Sequence, residues 1–336
     1  MKEQKKKITS ISLFSGVGAY EKAFKNLGLD IDILHYCENN KFAASGYSAM
    51  HDVPEERNLG DISLVDISKL PKCDLVTYSF PCQSISAAGR KEGIIKGKTK
   101  SGLVYEALDV IEKCGPDVAI MENVKNLVGM TFINDFYNLL SILDDMGYNN
   151  YWQQMNSKDY GMPQNRTRVI LVSIKKTIDK GYKFPDTCKL DKKAIDFIKK
   201  DDTNVRWVNE ESDPITYKSL VKKGYREVEG VAKNPTTREY SGFKEIADCL
   251  LAHDALTKNI VQFMNDEGKF VIRRMTPLES FRLMGFEDSD YYKVKDRLET
   301  QYYKGKEKSD TQIYKMAGNS VVVQLIEEVI KNIYCN

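Results

Sequence analysis

Four short clusters in this 336-residue chain hold the side chains that chemistry needs. The first is Ser79-Phe80-Pro81-Cys82-Gln83-Ser84. A cysteine thiolate is a strong nucleophile, and Pro81 forces a turn just before it. A lone cysteine more often fills an apolar core; a position after a strand favours a cleft instead. The second is Glu122-Asn123-Val124, a carboxylate after an apolar run, where capping the next helix is the bland alternative. The third is Gln164-Asn165-Arg166-Thr167-Arg168. In an extended segment its two arginines share a face. They would then make surface ion pairs, or bind carbonyl or phosphate oxygens beside a cleft. The fourth is Phe14-Ser15-Gly16-Val17-Gly18, with Glu38 following Gly16 by 22 residues. Two glycines let the backbone turn tightly against a ligand. An acid at that distance suits ribose hydroxyls.

These clusters need a scaffold, and the first half of the chain supplies an alternating pattern. Ile8 to Phe14, Ile31 to Cys37, Cys73 to Ser79, Asp117 to Met121 and Arg168 to Ile174 read as strands. A stretch ending at Gly28, Leu103 to Cys114, and Phe132 to Met146 with Gly147 as its stop read as helices. This rhythm predicts a mostly parallel sheet with helices on both faces. Open α/β sheets bind ligands at the carboxyl ends of their strands, where the first, second and fourth clusters fall. The dinucleotide signature wants a third glycine where Glu21 stands. That leaves a nucleoside ligand without a pyrophosphate, such as S-adenosyl-L-methionine, or an ordinary glycine turn.

Residues 176 to 270 are polar and weakly periodic, too long for a structureless loop, and predict a small second domain. Arg273 to Phe286 regains helical character behind Thr276-Pro277, and Val321 to Ile333 forms an amphipathic final helix. Lys and Arg number 50 against 48 acids, so any nucleic-acid contact must come from local clusters. Residues 86 to 100 hold five basic residues, one acid and three glycines; residues 218 to 244 hold seven basic and three acidic, with Tyr225, Tyr240 and Phe243 among them. No apolar run approaches the roughly 18 residues of a membrane span. No signal-peptide core follows the basic N-terminus, so the expected location is cytoplasmic. Seven cysteines without a CxxC pair argue against disulfides and a zinc site, and the only histidines are His35, His51 and His253.

In order, SLFSGVGA, YCENN, LGDI, SFPCQSIS, MENVKNL, YGMPQNRTRVI, RRMTPLESFRLMGF and AGNSVV run from residue 12 to 322. The set resembles the DNA (cytosine-5)-methyltransferases of bacteria and phages, of the type II restriction-modification kind. The resemblance implies an S-adenosylmethionine-dependent, Rossmann-like α/β sheet with helices on both faces, plus a smaller target-recognition domain. The catalytic, cofactor-binding domain would comprise residues 1–178 and 311–336. The target-recognition domain and hinge would comprise 179–310. Cys82 would attack carbon 6 of a flipped-out cytosine, Glu122 would serve N3 in its protonated form, Arg168 would bind O2, and Arg166 would support the site. Phe14, Gly16, Gly18, Glu38, Asn39, Asp61, Ile62, Pro81 and Asn319 would contact S-adenosyl-L-methionine. No metal is implied, and no histidine is needed.

The resemblance further implies a monomer acting on double-stranded DNA, within restriction-modification or phage self-protection, with any cognate endonuclease acting separately. The loop after Cys82 would fill the gap left by the flipped base. In the small domain, Lys and Arg would hold phosphates while a few side chains read base edges. An RNA-acting branch shares PCQ and ENV; the sizeable variable region favours DNA. Intact Cys82, Glu122 and Arg168 argue against a non-catalytic DNA-binding regulator on the same scaffold. Glu21 and the lack of a plausible histidine acid disfavour a nicotinamide oxidoreductase. Three features depart from the family: Cys249-Leu250 stands where it often has Thr-Leu, Gly285-Phe286-Glu287 where it has Gly-Phe-Pro, and the polar stretch 288 to 311 is long.

Overall fold

The computed structural model describes residues 7–86, 92–202, 205–236, 242–252 and 259–335. In chain order the first half runs β1 (Ile8–Leu13), α1 (Ala19–Asn26), β2 (Ile31–Cys37), α2 (Lys41–His51), β3 (Leu75–Tyr78), α3 (Val104–Cys114), β4 (Val118–Val124), α4 (Ile133–Asp145) and β5 (Tyr148–Asn156). Next come β6 (Gln164–Asn165), β7 (Thr167–Lys175), α5 (Pro214–Lys222), β8 (Gly230–Lys233), β9 (Ala247–Asp248), β10 (Asn259–Met264) and β11 (Phe270–Arg274). The chain closes with α6 (Pro277–Arg282), α7 (Asp288–Tyr303), α8 (Asp310–Asn319) and α9 (Val323–Tyr334).

Contacts divide the chain into two compact units. The first, the sheet unit, comprises Met1–Met155, Thr167–Asp186 and Ile326–Asn336; the second comprises Asn156–Arg166 and Thr187–Leu325. This partition differs from the expected boundaries at 178 and 311. Residues 156–166 go with the second unit because β6 pairs with β9. Helix α8 goes there too, since the Tyr314 hydroxyl bonds the Met275 carbonyl.

The sheet unit carries a six-stranded sheet in the order β2-β1-β3-β4-β7-β5. The joins β1–β2, β1–β3 and β3–β4 are parallel and β4–β7 is antiparallel. Ile11, Val76, Tyr78, Met121 and Leu171 face one core, with Leu108 and Ile111 of α3 and Phe136 and Leu139 of α4. The alternate residues Leu75, Ile120 and Ile170 are equally buried, so both sheet faces are covered. Helix α3 buries Val104, Ala107, Leu108 and Ile111, the 3.6-residue stripe. It stops at Gly115, whose φ of 54° suits a residue without Cβ.

The second unit carries a three-stranded sheet in the order β11-β10-β8, antiparallel at both joins. Its core collects Val208, Leu220, Ala232, Phe243, Ile260 and Ile272. The stretch expected to be helical from Arg273 begins as strand, because β11 pairs with β10 through Arg274. The helix itself starts at Pro277, where Thr276 and Glu279 form a reciprocal capping box. Arg273 and Glu279 form an ion pair with neither side chain exposed. The polar stretch after Phe286 is mostly helix α7, which buries Tyr291, Val294 and Leu298 along one stripe. Among the described residues, no helix is long and apolar enough to cross a membrane.

Candidate active site

Cys82 lies four residues beyond β3, in a turn where the Cys82 carbonyl accepts the amides of Ile85 (3.0 Å) and Ser86 (2.8 Å). Three side chains hold the neighbouring backbone. Asn123 Nδ2 donates to the Phe80 carbonyl (3.0 Å), Ser101 Oγ to that of Pro81 (2.7 Å), and Asn126 Nδ2 to that of Ile85 (2.5 Å). The turn is therefore fixed on both sides of the thiol. Cys82 itself is only half-buried, whereas Cys37, Cys73 and Cys114 are buried. Burial pushes the Cys37 thiol up to about 12, so it stays protonated at neutral pH.

Strand β4 continues past Met121 to Val124, so Glu122 is a strand residue rather than one that follows the strand. The extension arises because β7 keeps pairing through Val124 and Arg168. Glu122 pairs with Ile170, which places Arg168 diagonally across on the same face. There Arg168 Nε meets Glu122 Oε1 at 2.7 Å, with the two side chains 11% and 10% exposed. Parallel pairing of Tyr78 with Met121 brings the Cys82 turn and Glu122 to the same end of neighbouring strands. Tyr20, buried beside them, places its hydroxyl 3.4 Å from Ser79 Oγ. Burial first, and the nearby Glu122 charge second, push that phenol well above its ordinary value.

The glycine turn after β1 is built around Glu38. Gly16 donates its amide to Glu38 Oε2 at 3.0 Å, and Asn40 donates to Oε1 at 2.8 Å. Burial pushes the Glu38 carboxyl up, opposed by these two amides. Phe14 and Gly16 take positive φ values of 54° and 57°. At Gly18, also left-handed, a Cβ would stand 2.1 Å from His51 Nε2. Asn58 Oδ1 accepts the Glu38 and Gly60 amides, both at 3.0 Å, tying the strand end to the segment before Asp61. Asp61 caps a short turn by accepting the Ser63 amide at 3.0 Å, and Ile62 is buried. Asn39 is exposed and Pro81 half-buried. All of these belong to the sheet unit, while Asn319 is an exposed residue ending α8 of the second unit.

The two arginines have different partners. Arg166 is 2% exposed and donates to Leu250 O (2.7 Å), Gly318 O (3.1 Å) and Ser320 O (2.5 Å) within the second unit. Arg168 instead pairs with Glu122 in the sheet unit. The basic 218 to 244 stretch also divides. Lys233 is buried and donates to the Cys249 carbonyl at 3.0 Å, and Phe243 sits in the core. Lys218, Lys222 and Arg226 remain exposed. Tyr240, His253 and residues 87–91 of the loop after Cys82 lie outside the described residues. Sequence reasoning missed Asn58, Ser101 and Asn126, whose role is to hold backbone, and named Asn123 and Gln164 only as neighbours of Glu122 and Arg166.

The family model "C-5 cytosine-specific DNA methylase" matches residues 8–335. The type II methyltransferase M2.ScrFI of Lactococcus lactis subsp. cremoris is 33% identical over 291 residues, covering 83% of this chain and 71% of that protein. The type II methyltransferase M.Bsp6I of Bacillus sp. (strain RFL6) is 28% identical, covering 96% and 97%. Among solved structures, a Spodoptera frugiperda DNMT2 mutant superposes with a TM-score of 0.67 at 20% identity, covering 97% of this chain and 99% of that one. An E. coli putative DNA modification methyltransferase encoded within a prophage gives 0.64 at 16%, covering 98% and 99%. The likeness to these structures extends to the Rossmann-like α/β fold. With the family match spanning nearly the whole chain, this protein belongs to the C-5 cytosine-specific DNA methylases and is a DNA (cytosine-5-)-methyltransferase.

Proposed function

We propose that the enzyme methylates carbon 5 of a cytosine flipped out of double-stranded DNA, through a covalent adduct to Cys82. The observation that carries this reading is the Arg168–Glu122 pair, 2.7 Å apart, at the strand ends beside the Cys82 turn. The Cys82 thiolate forms a bond to carbon 6 while Glu122 gives N3 a proton, so electron density moves to carbon 5. Arg168 holds O2 and keeps Glu122 oriented. Once carbon 5 has taken the methyl group that the bound cofactor would supply, a base takes the carbon 5 proton. The electron pair of that bond re-forms the carbon 5–carbon 6 double bond and expels the thiolate, and the N3 proton returns to Glu122. Flipping costs a few kcal/mol, offset by such contacts. Arg166 supports the arrangement without touching the base.

The residues around the glycine turn fit S-adenosyl-L-methionine. Each Glu38 oxygen accepts one backbone amide and keeps lone pairs for ribose hydroxyls. Phe14 offers an aromatic face to adenine or the sulfonium cation. Gly16 and Gly18 let the backbone come close, Asn39, Asp61 and Ile62 flank the adenine side, and Pro81 and Asn319 complete the set. Bound there, the cofactor supplies the methyl group. We assign residues 1–178 and 311–336 to catalysis and 179–310 to target recognition and hinge. The biological setting is a cytoplasmic monomer in restriction-modification or phage self-protection, any endonuclease partner acting separately. The test is to incubate purified protein with S-adenosyl-L-methionine and duplex DNA, with tRNA as the competing substrate. 5-Methylcytosine in DNA is expected; N4- or N6-methylated bases, or methylation of tRNA alone, would overturn the proposal. DNA with 5-fluorocytosine at the site should trap a complex through Cys82, because fluorine cannot leave as a proton does.

A further inference from the structure

Four separate segments of the second unit meet around two side chains that lie two residues apart. Gln164 is 0% and Arg166 2% exposed, on an extended stretch that turns both the same way. Gln164 Oε1 accepts the Leu250 amide at 3.1 Å, and Arg166 Nη1 donates to the Leu250 carbonyl at 2.7 Å. One residue of the segment 246–252 is thus gripped at both backbone groups. The neighbouring Cys249 offers its sulfur to Arg166 Nη1 at 3.1 Å and its carbonyl to Lys233 Nζ at 3.0 Å. On its other side the guanidinium reaches Gly318 O and Ser320 O, where α8 ends and leaves carbonyls without helical donors. Gln164 Nε2 completes the junction at the Leu283 carbonyl, 2.9 Å away.

A second observation closes the same junction from the far side. A Cβ on Gly318 would lie 2.1 Å from Ala252 N and 2.3 Å from Leu251 C. Backbone therefore lies directly on backbone between 251–252 and 318. Only a planar fork with several fixed donors can bridge carbonyls on both sides of such a contact; a lysine ammonium is a compact charge and cannot span them.

We infer that Gln164 and Arg166 are positioning residues: they lock the 249–252 segment to the turn after α8, so that the second unit offers DNA one fixed conformation of that segment. The effect on DNA rests on the function proposed above; the locking does not. The test uses the full-length protein, wild type and Arg166→Lys, in two measurements. Amide hydrogen exchange over 249–252 should quicken by about tenfold or more, because buried carbonyls lose their donors. Exchange in β8 and β10 should stay unchanged. The KM for duplex DNA should rise about tenfold. Unchanged exchange at 249–252, or a rise spread evenly over the unit, would overturn the inference. If Arg166→Lys does not fold, Gln164→Met carries the same exchange measurement, since it releases the Leu250 amide and leaves the guanidinium. If the wild type transfers no methyl group to DNA, the functional proposal fails, while the exchange result still decides the positioning role.

Discussion

Arg168 and Arg166 stand two residues apart, yet the first meets a carboxylate and the second a set of carbonyls. Arg168 holds Glu122 on the face of the large sheet, beside the half-buried Cys82 turn. Arg166 spends its fork on Leu250, Gly318 and Ser320 in the other unit. The lesson is that residue type and spacing identify a strong donor but not what it is donating to. A guanidinium facing a carboxylate can exchange that contact for a substrate; one spread over backbone carbonyls from several segments is committed to architecture.

Substitutions can break or sharpen this contrast. Cys82→Ser should give the largest effect, a loss of at least about 10⁴-fold in methyl transfer with an unchanged melting temperature. Serine turnover near the wild-type rate would remove Cys82 from the mechanism. Arg166→Ala should destabilise the second unit by about 3–5 kcal/mol, read by denaturant unfolding, since buried carbonyls lose their donors together. Arg168→Ala should cost much less stability but lower kcat about 10²-fold. Were the two variants to show the same profile, the distinction between them would collapse.

Two milder experiments follow on either side of the contrast. Glu38 is a carboxyl raised by burial, so folding favours its protonated form; the stability this contributes is fully present below the ordinary carboxylate range and is lost as pH rises through the raised folded value. As pH drops through the raised folded value, Glu38 takes a proton and loses acceptor capacity. Calorimetric affinity for S-adenosyl-L-methionine should therefore begin to weaken at a higher pH than for an ordinary carboxylate, and Glu38→Gln should remove that dependence. Cys249→Thr, which installs the residue often found in the family, should shift stability by less than about 1 kcal/mol, because a hydroxyl can accept from Arg166 as the thiol does. A larger loss on thermal melting would mean that the sulfur is packed too closely to exchange.

The parts legible in the sequence were those with strong local rules. The βα alternation, the glycine stops at Gly28 and Gly147, and the Thr276-Pro277 helix start all follow from backbone preferences and appear where expected. The neighbouring placement of the Cys82 and Glu122 strands was legible for the same reason. The end of β4 was not, because its last residues are strand only through pairing with β7, some 45 residues later in the chain. Lys233 and Phe243 looked like parts of a phosphate-binding surface on composition, and burial assigns both to the interior. Gln164 stood in the arginine cluster without a readable role, since its three partners lie about 80 to 120 residues away.

The sheet unit is assembled from both halves of the chain, and this bears on when the enzyme comes to life. Phe24 of α1 meets the ring of Tyr334 at 5.5 Å, and Asn26 bonds Glu327 at 2.6 Å. During synthesis the cofactor turn emerges early, but helix α1 waits for those partners until residues 326–336 have left the ribosome. The intervening second unit has time to fold first. A nascent chain stalled just before α9 would hold all six strands of the large sheet, with α1 still lacking its contacts to Glu327 and Tyr334.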